Sequence, residues 1–155
     1  MTQAPPPPAP LTEMKLPQQI KDAINNAFTN GKPVLVAYVD EGGQPSLSFR
    51  GSTQAYSDSQ LAVWVRNPEG GLQKALGKNP KVSLMYRDPN PESRSMLQFK
   101  GSGRVGTSQA ERDKVYDSSP EPERNADREK KGFPLIIDLE RVDGFFPGLR
   151  IAMRK

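Results

Sequence analysis

Four residues spaced two apart, Ser46, Ser48, Arg50 and Ser52, could bind an anion if they lay along one strand, because alternate side chains of a strand share a face. Leu47 and Phe49 then point to the opposite side. A second alternating run, residues 61–66, puts Leu61, Val63 and Val65 on one face and Ala62, Trp64 and Arg66 on the other, adding an indole and a second guanidinium. After Arg66 the chain turns through Asn67-Pro68 and the pair Gly70-Gly71 into a short helix that begins near Leu72 and Lys74. The free N–H groups of a helix start attract phosphate. Hydroxyls, two arginines, an aromatic ring and a glycine-rich turn make a bed for a phosphorylated aromatic cofactor.

The chain contains no cysteine and no histidine. Disulfides, thiolate or imidazole metal sites and Ser–His or Cys–His nucleophilic catalysis therefore have no residues to use. No acidic loop with calcium-ligand spacing takes their place, so no metal site is expected. An enzyme made of these residues needs a cofactor or its substrate to carry the reactive chemistry. The formal charge of +4 comes from 22 basic and 18 acidic residues, a mixed surface that permits nucleic acid without selecting it. The basic residues Arg50, Arg66, Lys74, Lys78, Lys81 and Arg87 suit a small anionic ligand equally well. No apolar run is long enough for a signal peptide or a membrane span, so the expected location is the cytoplasm, with no membrane partner.

These residues must be positioned by the elements around them. At 155 residues the chain supports one domain. Residues 1–12, with Pro5-Pro6-Pro7-Pro8, are expected to be a disordered, proline-rich tail, and residues 13–155 the folded domain. Ile20, Ala23, Ile24, Ala27 and Phe28 follow helical spacing up to Asn30-Gly31. Residues 33–39 form a strand, Asp40-Glu41-Gly42-Gly43 a turn, and residues 45–56 a second strand. With residues 61–66 this gives a three-stranded antiparallel meander, since the connections are too short for a parallel crossover. A short helix follows Gly71 and stops at Asn79-Pro80. Residues 81–87 alternate as a strand. Residues 94–105 form a long strand with Gly101 and Gly103 at a bend or bulge. Ser108 and Glu111 read as a capping box for a helix over residues 109–116. Residues 117–131 are dense in charge and proline, a solvated surface segment or a lid. Residues 133–139 return as a strand, with Val142, Phe145 and Phe146 continuing its apolar signal. The expected fold class is α+β, a barrel or half-barrel of about six antiparallel strands with a few short helices.

The order of these elements, together with Gly43-Gln44-Pro45, Arg50-Gly51-Ser52, Trp64-Val65-Arg66-Asn67 and Asn79-Pro80-Lys81-Val82-Ser83-Leu84, resembles the pyridoxamine 5'-phosphate oxidase-like family over roughly residues 16–146. The resemblance implies the FMN-binding split β-barrel, and a homodimer with FMN in a groove between subunits. It implies cofactor-binding positions at Ser48, Phe49, Arg50, Gly51 and Ser52, at Trp64, Val65 and Arg66, at Gly70, Gly71, Leu72 and Lys74, and at Gln98 on the polar face of the long strand. Arg50 takes the place of the phosphate-binding arginine, with an offset of one residue. Trp64 and Val65 match the strand beside the isoalloxazine ring. Where true oxidases carry a Ser-Arg-Lys clamp, this chain has Gly70-Gly71-Leu72, and the Arg-x-His substrate clamp of the pyridoxal phosphate-forming oxidase has no counterpart. The resemblance thus implies a flavin-dependent oxidoreductase or reductase of another small-molecule substrate, with NAD(P)H as candidate donor and no assignable catalytic residue. FAD and a deazaflavin are alternative cofactors.

Each position also has an ordinary structural reading: Arg50 a solvated strand residue, Trp64 a core or interface aromatic, Gly70-Gly71 a plain loop, Lys74 a solvent-facing helix residue and Gln98 a barrel polar group. A protein that carries or sequesters flavin without catalysis is the alternative function, with heme as a further ligand limited by the absence of His and Cys. A nucleic-acid-binding barrel would need more exposed aromatics than this chain offers.

Overall fold

Apolar side chains at every second position of the central strands meet around one core. The structure, a computed structural model, describes residues 3–155. In chain order the elements are β1 (Pro10–Glu13), α1 (Gln18–Asn25), β2 (Val34–Val39), β3 (Pro45–Arg50), β4 (Gln54–Ser57), β5 (Gln60–Val65), α2 (Leu72–Lys78), β6 (Lys81–Asp88), β7 (Ser95–Val105), α3 (Gln109–Asp117), α4 (Glu121–Asn125), β8 (Phe133–Phe146) and β9 (Leu149–Arg154). The strands form one sheet in the order β1-β9-β8-β7-β6-β2-β3, with β5 attached to β8 and β4 to β5. The α+β class and the antiparallel barrel expected from the sequence are present. The strand number is nine rather than about six, and β1 runs parallel to β9.

Three differences account for the extra strands. The single strand expected over residues 45–56 is two, because Thr53 donates both its N–H and its hydroxyl to the Arg50 carbonyl and closes a turn at Gly51-Ser52. β3 pairs with β2 while β4 pairs with β5, so the expected three-stranded meander is not formed. The folded part also starts at Pro10, inside the stretch assigned to the tail, since Pro10 and Leu11 pair with Arg150 and Ile151. Met1 and Thr2 of that tail lie outside the described residues. Finally, β8 and β9 form a C-terminal hairpin that the apolar signal near Phe146 only began to indicate.

β8 organises the sheet. It pairs with β7 along its length, with β5 through residues 133–138 and with β9 through residues 141–146. At the changeover the β7–β8 register shifts: Lys100 pairs with Arg141 and Gly101 with Leu139, so the extra residue is Glu140 of β8, opposite Gly101 where a bend or bulge was expected. Inside, Val34, Val36, Leu61, Val63, Val65, Val82, Leu84, Leu97, Phe99, Leu135, Ile137 and Met153 make the main core, closed by Ile20 and Ile24 of α1 and Leu72 and Leu76 of α2. A second cluster lies on the other side of β5 and β8, where Ala62, Trp64 and Ile136 are covered by Val115 and Tyr116 of α3. The capping box is present: Ser108 Oγ accepts from the Glu111 N–H, and Glu111 accepts from the Ser108 N–H. Among the described residues, no helix is long and apolar enough to cross a membrane.

Asp88, at the end of β6, ties the β6–β7 connection to the turn after α1. It accepts from Ser93 Oγ at 2.7 Å, the Asn90 N–H at 3.0 Å and Lys32 Nζ at 3.0 Å. Those hydrogen bonds, Ser93 foremost, hold its carboxyl at about 2 against an ordinary 3.8. A carboxylate with a lowered folded pKa contributes stability above its unfolded pKa and loses it as the folded value is approached. The melting temperature is therefore expected to fall between about pH 4 and about pH 2, with a shallower fall in Asp88→Asn. Equal slopes in thermal melts of the two proteins would count against this role.

Candidate functional site

The ends of β3 and β5 come together where the chain leaves the barrel. Phe49, Arg50, Gly51 and Ser52 from the first, Trp64 and Arg66 from the second, and the loop Asn67-Pro68-Glu69 surround a cleft of ≈ 640 Å³. Glu123, Ala126, Asp127 and Lys131 close its far wall. Its size falls within the roughly 300–1,000 Å³ usual for small-molecule sites.

The lining holds three basic residues, Arg50, Arg66 and Lys131, against the acidic Glu69, Glu123 and Asp127; Lys131 is paired with Glu129, which leaves the two arginines as the cations for an anion to meet. Arg50 has no ion-pair partner among the described residues. Arg66, with a side chain 55% exposed, has only Glu123, whose Oε2 is 3.7 Å from its Nε. Ser52 differs from its expected role. It is 1% exposed, and its hydroxyl accepts from the Trp64 N–H at 2.9 Å and donates to the Trp64 carbonyl at 3.0 Å. Its hydrogen-bonding capacity fastens the β3–β4 turn to β5, because the strand that would have aligned it with Ser46, Ser48 and Arg50 ends at Arg50. Gly51 is needed for the close approach of α4. A β-carbon there would lie 2.6 Å from Glu123 Oε1 and 2.7 Å from Phe28 Cδ2.

Trp64 is a wall of the site rather than a platform in it. Only 3% exposed, it meets the Tyr116 ring edge-on at 5.2 Å, and the Arg112 guanidinium lies 5.2 Å from its ring centre. Its Nε1–H donates to Asp127 Oδ2 at 2.9 Å. Asp127 also accepts from the N–H groups of Gly132 and Lys131. Burial works to raise the Asp127 pKa, but the hydrogen bonds from Trp64, Gly132 and Lys131 outweigh it and leave the carboxyl below its ordinary value. This fixes the loop between α4 and β8 against the end of β5. The 117–131 segment is thus more than solvated surface, since four of its residues line the cleft.

The remaining expected positions lie elsewhere. Val65 and Leu72 are buried in the main core. Gly71, at φ 87°, caps α2 and lines, with Lys74, a neighbouring depression that shares only Pro68 and Glu69 with the cleft. Gly70 precedes this cap in the same turn. Ser48, half-buried, pairs with Val36 and is not part of the lining. Gln98 sits between Met85 and Asp143, and the register Gln98–Met85–Leu35–Phe49 places it three strand spacings, roughly 14 Å, from the rim at Phe49. Sequence reasoning missed Glu123, Asp127, Lys131 and Glu69. Only the Asp and Glu content of a segment next to an apolar strand pointed toward them.

Leu47 and Phe49 face outward, 65% and 67% exposed. They lie on the terminal strand β3, and the register continues their face through Leu35, Ala37 and Met85, all half-buried. An apolar surface therefore runs from the sheet edge to the rim of the cleft.

Scans of protein-family models and of curated proteins return no match for this sequence. Solved structures share its fold. HupZ of Group A Streptococcus is 21% identical, with a TM-score of 0.64 over 87% of this chain and 98% of that one. A Clostridium acetobutylicum protein related to general stress protein 26, of the pyridoxinephosphate oxidase family, is 14% identical with a TM-score of 0.61, over 90% and 96% of the two chains. A pyridoxamine 5'-phosphate oxidase-related, FMN-binding protein from Nostoc punctiforme is 16% identical with a TM-score of 0.59, over 82% and 81%. The fold is the split β-barrel of the pyridoxamine 5'-phosphate oxidase-like proteins, as the sequence motifs implied.

Proposed function

We propose that the cleft binds FMN and that the protein is a flavin-dependent oxidoreductase acting on a small molecule. The observation that carries this reading is the unpaired Arg50 guanidinium, set beside Arg66 at the mouth of a cleft whose rim is the exposed ring of Phe49. A phosphate has two planar cationic donors to meet, and a flat ring system has an aromatic face to lie against. The FMN-binding protein of Nostoc punctiforme, built on the same fold, adds support.

The residues fit the group in part. Arg50 and Arg66 would hold its phosphate, with Asn67 and Lys131 within the same lining. Ser52, Leu72 and Lys74 would not, being engaged in a turn, buried in the core and placed in the adjoining depression respectively. Bound FMN supplies the capacity to accept a hydride from a donor such as NAD(P)H and to pass electrons on. The protein's own groups bind and orient, since the Asp127 carboxylate is occupied by Trp64 and two backbone N–H groups. The apolar surface from Leu47 to Phe49 supports a homodimer in which a second copy covers the open side of the cleft. A heme has less support, because the lining contains neither Met nor Tyr.

The test is the visible absorption spectrum of the purified protein, incubated with FMN and then freed of excess. Flavin bands near ~450 nm that stay with the protein are expected. Loss of all flavin on removing the excess overturns the reading. If flavin is retained, NAD(P)H oxidation with an added acceptor separates an oxidoreductase from a flavin carrier.

A further inference from the structure

Glu123 is one of three acidic residues that line the cleft, with Glu69 and Asp127. It belongs to α4, yet its side chain is only 15% exposed and reaches across the cleft to the ends of β3 and β5. Oε1 lies where a side chain at position 51 would begin, and Oε2 faces Arg66 at 3.7 Å. Arg66 is its only ion-pair partner among the described residues, and at that separation the pair is electrostatic rather than a good hydrogen bond. A negatively charged group thus already sits in the bed that two arginines prepare for an anion.

Resting on the flavin reading of this cleft, we infer that Glu123 competes with the ligand's phosphate for Arg66, and so lowers the affinity of the cleft for phosphomonoesters while leaving unphosphorylated ligands untouched. A doubly charged phosphate bound by Arg50 and Arg66 offsets the loss of the Glu123–Arg66 contact and the repulsion from the nearby carboxylate. A ligand without a phosphate meets neither group and incurs neither cost. Glu123 acts through Arg66, so it is a positioning residue that touches the ligand only by repelling it. Its removal favours phosphorylated ligands alone, whereas loss of a merely structural contact would affect every ligand of the cleft.

The full-length protein, its Glu123→Gln variant and the double variant Glu123→Gln/Arg66→Ala are titrated with FMN and with riboflavin, followed by flavin fluorescence. Glu123→Gln is expected to tighten FMN about fivefold to tenfold, leave riboflavin within about twofold, and lose its FMN gain in the Arg66→Ala background. Unchanged or weaker FMN binding, or an equal shift for riboflavin, overturns the inference while leaving the flavin reading intact. If neither protein binds flavin, the probe becomes inorganic pyrophosphate and the readout the rise in melting temperature. A larger rise in Glu123→Gln then upholds the inference and removes FMN as the ligand, and equal rises overturn both. Should Glu123→Gln not fold, Glu123→Ser carries the same expectations.

Discussion

Alanine at both Arg50 and Arg66 is expected to weaken FMN binding by about 3 kcal/mol or more, over a hundredfold, since charge-assisted phosphate contacts are each worth roughly 1.5–3 kcal/mol. The lower end applies because Arg66 is 55% exposed and shared with Glu123. Arg50 should carry the larger part, as it has no competing ion pair among the described residues. The two changes should leave the fold in place, because both guanidiniums line the open cleft and neither belongs to the core. Riboflavin supplies the control, since it lacks the phosphate and should lose little. Undiminished FMN affinity in a folded double variant would remove the phosphate from this cleft.

A β-carbon at position 132 is expected to destabilise the fold strongly and at the wall of the cleft. Gly132 lies against the end of β5, where that carbon would collide with the Val65 carbonyl oxygen and come within 2.9 Å of Trp64 Nε1. The first obstacle is backbone and cannot rotate away. The Gly132 N–H also serves Asp127 Oδ2, the same oxygen that receives the Trp64 Nε1–H. Gly132→Ala should cost about 2–4 kcal/mol, a fall in melting temperature of roughly 5–15 °C for a chain of this length. Trp64, the only tryptophan, should report the change as a shifted emission maximum when its indole loses its partner. A variant with wild-type melting and emission would mean that the loop before β8 yields more easily than its contacts imply.

The sequence disclosed most of the elements, because they are marked by local chemistry. Proline and asparagine end α2, serine and glutamate cap α3, and Gly101 marks where the β7–β8 register shifts. The site was less legible for two physical reasons. Ser52 continues the alternation of Ser46, Ser48 and Arg50, and nothing in that pattern reveals that Thr53 folds back onto Arg50 and turns the chain. Likewise, α3 buries only Val115 and Tyr116, too narrow an apolar stripe to predict that it covers Trp64. The second face of β5 therefore read as solvent-facing or ligand-facing when Ala62 and Trp64 are core. Leu47 and Phe49, placed by alternation on the face opposite Arg50, give no sign in the sequence that this apolar face is open to solvent. Asp127 and Glu123 are joined to Trp64 and Arg66 by contacts between residues far apart in the chain, which no spacing rule captures.

The pairing of β8 also dictates when this chain can become a protein. The hairpin of β4 and β5 meets the rest of the sheet only through β8, whose first half bridges it to β7. During synthesis, the strands made before Lys131 therefore pair as two separate units, a sheet of β2, β3, β6 and β7 and the β4–β5 hairpin, which without β8 meet through α1 and the shared core and not through strand pairing. Closure of the sheet must wait for β8, residues 133–146, to leave the ribosome, and the two strand ends of the ligand cleft are locked together at that moment rather than earlier. A nascent chain stalled before β8 presents bare strand edges to its neighbours, which makes this stretch of translation the interval in which chaperone protection matters most.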